Sequence, residues 1–84
     1  MFELLLTEAF AREFKKLEKT ERERIKKKLN ATTKTPFLFY ERLTGHDLFK
    51  LRVGKYRLIA QINMREKKIT LLSVKHRAPA YQTH

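Results

Sequence analysis

Residues 48–58 read Leu-Phe-Lys-Leu-Arg-Val-Gly-Lys-Tyr-Arg-Leu, setting Lys50, Arg52, Lys55 and Arg57 close together with no carboxylate among them. Side chains alternate across a strand, so Lys50 and Arg52 share one face while Phe49, Leu51 and Val53 share the other. If Gly54-Lys55 is a two-residue hairpin loop, Val53 pairs with Tyr56 and Arg52 stands opposite Arg57. Like charges opposed in this way cost an exposed hairpin roughly a few tenths of a kcal/mol. An anion held between the two guanidinium groups reverses the sign, and the planar fork of Arg suits a phosphate. The chemistry such a pair offers is phosphate binding and stabilisation of charge on transition-state oxygens. The plain alternative is a solvated basic face that keeps the chain soluble. That alternative accounts for Lys50, Arg52 and Arg57 but not for the scarcity of acids around them: residues 48–77 hold nine Lys and Arg, and Glu66 is their only carboxylate.

A second basic group, Ser-Val-Lys-His-Arg, occupies 73–77, with Tyr81 beyond it. Arg77 joins the face of Arg57 in one register of the loop at 63–67, and His76 replaces it after a one-residue slip. Tyr81 either stacks on a nucleic-acid base or packs against the sheet edge.

These groups need a scaffold, and the sequence offers one. Residues 2–6 form a short apolar strand. Thr7 suits the N-cap of a helix whose apolar positions Phe10, Phe14 and Leu17 follow helical spacing. Thr20 with Glu23 three residues on is a capping box for a second helix that turns Ile25 and Leu29 inward. The two form an αα-hairpin over about residues 8–33, ended before Pro36. Strands are expected at 39–43, 47–53, 56–63 and 68–77, with turns at Gly45, Gly54 and 63–67. The fold class is α+β, a mainly antiparallel sheet of four to five strands with the N-terminal strand and the helical hairpin on one face, in a single domain spanning 1–84.

Composition narrows the partners. Twenty Lys and Arg against nine Asp and Glu give +11, a self-repulsion that an anionic partner relieves. Without cysteine there are no disulfides, thiolate nucleophiles or Cys-based zinc sites. His46, His76 and His84 have no metal-ligand spacing, so no metal or other cofactor is expected. Apolar runs such as Leu4 to Leu6 are too short for a membrane span or signal peptide, and a cytoplasmic protein is expected.

The order of elements, with L-x-G-x-D-L-F-K-L-R-V-G-K-Y-R-L-I-A-Q-I at 43–62 and the segment at 73–81, resembles the RelE/ParE superfamily of toxin–antitoxin toxins over essentially the whole chain. The resemblance implies a RelE-like, microbial-RNase-type fold and one of two activities: ribosome-dependent mRNA cleavage in the A site, or inhibition of DNA gyrase by ParE-like members. The RelE branch is favoured because Lys50, Arg52, Arg57 and Arg77 match its basic catalytic set, with Tyr81 as its C-terminal tyrosine. Leu48 stands where that pattern has a further lysine, and Lys75 where it has a glycine. Lys55, Lys75 and His76 are expected to contact RNA around the catalytic group. The implied reaction is metal-independent attack of a ribose 2′-hydroxyl on the adjacent phosphate. Lys50, crowded by other cations, is the best candidate for the base. The implied partners are mRNA, the ribosome, and an acidic RelB-like antitoxin that forms a heterocomplex with the toxin; no membrane is involved.

Overall fold

The computed structural model describes residues 1–43 and 47–76. Its first strand, β1 (Glu3–Leu6), leads directly into α1 (Glu8–Lys15). Thr7 makes that junction. Its hydroxyl accepts a hydrogen bond from the Phe10 amide at 3.2 Å and donates to the Leu71 carbonyl at 2.9 Å. One side chain thus satisfies an orphan donor of the helix and ties the helix start to the sheet. Phe10 is buried and stacks on Phe14, with ring centroids 5.6 Å apart.

The second helix, α2 (Lys19–Thr32), buries Ile25, Leu29 and Thr32. Its start differs from expectation: Glu18, not Thr20, occupies the N-cap position, and no side chain caps it. Leu17 is packed against the core, and its carbonyl accepts a hydrogen bond from the Arg22 guanidinium. The Glu18 carbonyl accepts the Arg22 amide at 2.9 Å. The helix therefore begins upstream, leaving Thr20 inside the first turn where it cannot cap.

After α2 the chain makes a 3₁₀ turn at Pro36–Leu38, with Pro at its start where the missing N–H costs nothing. The strand expected at 39–43 shrinks to β2 (Glu41–Arg42). The Phe39 and Tyr40 amides both donate to the Pro36 carbonyl at 2.9 Å, holding them in the turn rather than in a ladder. Tyr40 also turns inward, its hydroxyl 3.2 Å from Thr32 Oγ1. Burial pushes the Tyr40 phenol above its ordinary value, against the opposing effect of its hydrogen bond with Thr32.

Strands β3 (Phe49–Val53), β4 (Tyr56–Asn63) and β5 (Lys68–His76) complete a five-stranded sheet in the order β1-β5-β4-β3-β2. β1 runs parallel to β5 and the other pairs are antiparallel. β3 begins two residues later than the strand expected at 47–53, and Leu48 instead accepts the Leu43 amide through its carbonyl at 2.9 Å. The turn expected at Gly45 lies outside the described residues. Gly54 opens the β3–β4 loop at φ +58°, a conformation that glycine adopts without Cβ strain. The β4–β5 loop is closed by Asn63 Oδ1, which accepts the Glu66 amide at 2.9 Å.

Both helices cover one face. Phe10, Ile25 and Leu29 meet Leu51, Val53, Leu58, Ala60, Ile69, Leu71 and Val74 in a single core. The alternate positions of the same strands point to the uncovered face, and those are the positions that carry the basic residues.

Candidate functional site

The β3–β4 ladder pairs Val53 with Tyr56, Arg52 with Arg57 and Lys50 with Ile59. Leu51, Val53 and Leu58 are buried, whereas Arg52 and Arg57 are exposed. The two guanidinium groups therefore stand across from each other on the face the helices leave open, as the two-residue loop predicts. The register of β5 is set by a β-bulge opposite Ile59 and Ala60: Ile59 pairs with Ser73 and Ala60 with Leu71, leaving Leu72 as the extra residue. Beyond the bulge Arg57 pairs with Lys75 and Tyr56 with His76. A row of cations, Arg52–Arg57–Lys75, crosses three strands.

The members of the row are not equivalent. Lys75 Nζ is bound by a carboxylate oxygen of Glu13, in the last turns of α1. The other oxygen of Glu13 accepts the Val74 amide at 3.0 Å. β1 pairs with β5 only as far as Leu71, so this amide would otherwise lie on an open strand edge. Next to the row, Lys50 Nζ lies 3.6 Å from Glu41 Oε1, its cross-strand neighbour in β2. Its charge is already engaged by a carboxylate, which weakens the like-charge reason for taking it as a base. Arg52 and Arg57 have no acidic partner among the described residues. The arrangement is a pair of unneutralised guanidinium groups flanked by two neutralised lysines, and an incoming phosphate meets its strongest field at the pair.

Of the other expected site residues, Lys55 sits exposed in the β3–β4 loop. His76 pairs with Tyr56 and makes an edge-to-face ring contact with it at 5.2 Å, so it is not on the face of Arg57. Arg77 and Tyr81 lie outside the described residues. Glu13 and Glu41, which decide which cations remain available, were not anticipated from the sequence.

Glu13 carries a pH dependence. Burial pushes its carboxyl up, but hydrogen bonds from Lys75 and the Val74 amide, with the charges of Lys75 and Arg12, outweigh burial and hold it below its ordinary value. A carboxylate whose pKa is lower in the folded chain contributes stability that is fully present above the unfolded value. That contribution is lost as pH falls through the folded value. Glu13→Gln is expected to flatten this part of the acid unfolding curve while changing stability near pH 7 in the destabilising direction. Chemical denaturation from pH 7 downward checks it; parallel curves for the two proteins would contradict it.

A larger hollow of about 610 Å³ lies at the other end of the strands, near the β4–β5 loop. Arg42 and Lys68 are matched there by Asp47 and Glu66, and none of the expected site residues among the described ones lines it. The balanced charge makes it a poor anion site. Among the described residues no group of three or more His, Asp or Glu side chains is placed to hold a metal ion. None of the described helices is long and apolar enough to cross a membrane.

Known proteins share this fold. The family described as the ParE toxin of type II toxin–antitoxin systems matches residues 4–81. No curated protein sequence matches the chain. Among solved structures, the toxin in the intact E. coli RelBE toxin–antitoxin complex is 28% identical, with a TM-score of 0.79 over 90% of this chain and 96% of that one. A double arginine-to-alanine variant of E. coli toxin RelE, solved with a peptide of the antitoxin RelB, is 30% identical, with a TM-score of 0.75 over 96% of this chain and 90% of that one. The archaeal RelE–RelB complex from Pyrococcus horikoshii is similar in fold, with 24% identity and a TM-score of 0.77 over 92% and 96% of the two chains. The sequence match carries the ParE description and the structural matches are RelE toxins, so the two comparisons meet at the level of the superfamily that both belong to. With the five-stranded sheet and the helical hairpin on one face, this chain belongs to the ParE toxin family of type II toxin–antitoxin systems, in the RelE/ParE superfamily and RelE-like in structure.

Proposed function

We propose that this toxin cleaves mRNA on the ribosome, using the open sheet face as its phosphate site and a ribose 2′-hydroxyl as the nucleophile. The observation that carries the reading is the Arg52–Arg57 pair, opposed across β3 and β4 with no acidic partner among the described residues. A pair of uncompensated like charges disfavours folding slightly. It is explained by an anion that sits between them.

In the reaction, the 2′-oxygen forms a bond to phosphorus and the bond from phosphorus to the 5′-oxygen breaks. The products are a 2′,3′-cyclic phosphate and a 5′-hydroxyl. The proton leaves the 2′-hydroxyl and one is returned to the 5′-oxygen. Arg52 and Arg57 hold the non-bridging oxygens as charge accumulates on them. Lys50, paired at rest with Glu41, adds a third cation while protonated; to take the 2′-proton it must first leave that carboxylate and release its own proton to solvent. Arg77 is assigned to the leaving oxygen and Tyr81 to stacking or proton transfer, both on the resemblance to the RelE branch. Lys55 and Lys75 are assigned to flanking RNA contacts; His76, which pairs with Tyr56 on the opposite face, is not. Weak acid–base equipment suits an enzyme whose RNA is positioned by the ribosome. The site of action is then the cytoplasm, and no cofactor takes part.

An acidic antitoxin of the RelB type is the proposed partner, supported by the +11 charge and by the relatives solved with RelB antitoxins. The ParE description of the family match favours a second reading, inhibition of DNA gyrase by binding without RNA cleavage. Incubation of purified toxin with translating ribosomes and, separately, with gyrase and relaxed plasmid decides between them. Cut mRNA with undisturbed supercoiling supports the nuclease; intact mRNA with blocked supercoiling supports the inhibitor.

A further inference from the structure

β2 pairs with β3 only at Phe49 and Lys50, so among the described residues no strand lies on the outer side of residues 51–53. α2 runs beside that edge, and between them lies a groove of about 400 Å³. Arg24, Lys27 and Lys28 line it from the helix, and Arg52 lines it from the sheet. Among the described residues that line it there is no carboxylate, and Ala31 and Val53 are the apolar side chains.

Four features mark it as an anion site. Lys27 and Arg52 have no ion-pair partner among the described residues. Arg24 has only Glu21, 3.4 Å away on an exposed helix surface, where such a pair contributes little. The absence of a side chain at Gly54 admits the Arg24 guanidinium: a Cβ there would stand 3.0 Å from Arg24 Nη1. Most telling is Arg52, which stands opposite Arg57 on the open face and also lines the groove. One side chain joins the two sites.

We infer that the groove is a second phosphodiester-binding subsite, which grips the RNA strand beside the phosphate held by Arg52 and Arg57. The inference rests on the nuclease reading above and adds to it a path for the strand, round the β3 edge and onto α2. An RNA backbone fits better than an acidic peptide. Most of the groove's accessible surface is carbon, from Ala31, Val53 and the aliphatic stems of its Lys and Arg, which suits ribose and base edges while the charged heads reach the phosphates. The described lining has no large apolar residue to form the deep pocket that a helix anchor needs. Phosphates need only the cations.

The test uses the full chain and a 2′-O-methyl RNA dodecamer, which cannot supply the nucleophile. Anisotropy binding is followed against salt for wild type, for Arg24→Ala/Lys27→Ala, and for Lys15→Ala/Lys16→Ala as a control of equal charge at the C-terminal end of α1, outside the groove. The groove variant is expected to bind about tenfold more weakly, with its log–log salt slope reduced by about 1.4, as for two lost phosphate contacts on a single strand. The control is expected to keep most of the wild-type affinity and slope, and thermal melting confirms that both variants are folded. Equal losses in the two variants would overturn the subsite and leave the nuclease reading standing if the wild type still cuts translated mRNA. Unchanged RNA binding with lost binding to poly-glutamate would overturn it in favour of an acidic-protein site. A wild type that neither binds the dodecamer nor cuts mRNA would remove both readings.

Discussion

Arg57→Ala is expected to lower single-turnover cleavage of ribosome-bound mRNA by about 10²-fold or more, the usual loss when one preorganised donor to a developing oxyanion is removed. Arg57 faces Arg52 without a compensating carboxylate among the described residues, so it supplies one half of the field that a phosphate meets. Arg52→Ala is expected to do comparable damage, and the double variant less than the product of the two, because the pair acts on one group of oxygens. Affinity for ribosomes should fall far less, since many other Lys and Arg share the non-specific phosphate contacts. The side chain is exposed, and removing it relieves repulsion with Arg52, so thermal stability should stay within about 0.5 kcal/mol of wild type or rise slightly. A variant that keeps its fold and loses its activity is the signature of a functional charge. Cleavage within a few-fold of wild type would remove Arg57 from the transition state.

The largest loss of stability is expected one residue along the same strand. Leu58 is fully buried and faces the helices, so Leu58→Ala leaves a cavity in the core and should cost about 3–5 kcal/mol. The stability of an 84-residue domain is roughly 5–15 kcal/mol in total, so this is a large share of it. At about 4–8 °C per kcal/mol for a domain of this size, the melting temperature should drop by some 12 °C or more. The two neighbours thus separate function from folding: Arg57→Ala inactive and stable, Leu58→Ala unstable. Calorimetry of both proteins checks it. Equal melting temperatures for Leu58→Ala and wild type would mean that β4 does not carry the core.

That alternation was legible from the sequence because the signals are local. A two-residue loop at Gly54-Lys55 fixes the pairing of its own strands, and it placed Arg52 across from Arg57 with no help from the rest of the chain. The Thr7 cap and the inward turn of Phe10, Ile25 and Leu29 are local in the same way. What was misread depended on distant partners. Residues 39 and 40 look like strand by composition, but Pro36 and the buried Thr32 hold them in a turn. The capping box at Thr20 is a sound local signal overridden by the packing of Leu17 and the reach of Arg22.

The register of β5 was open for a deeper reason. A single extra residue at Leu72 shifts every later side chain, and nothing in the segment from Ile69 to Val74 marks which residue bulges. The consequence is the placement of Lys75 opposite Arg57, with His76 on Tyr56. The acids that neutralise part of the site were hidden in the same way. Glu41 reaches Lys50 across a strand of two residues, and Glu13 reaches Lys75 from a helix at the other end of the chain. Neither contact has a sequence spacing to betray it.

The proposal that the open face performs 2′-hydroxyl chemistry is tested most directly by the ends of the RNA it produces. Wild-type toxin is incubated with mRNA on competent ribosomes, the cuts are mapped by primer extension, and the termini at each cut are identified. The account predicts cuts within the coding region that depend on ribosomes, with a 5′-hydroxyl on the downstream fragment and a 2′,3′-cyclic phosphate on the upstream one. Fragments carrying a 5′-phosphate and a 3′-hydroxyl, or translated mRNA left intact by folded toxin, would contradict it.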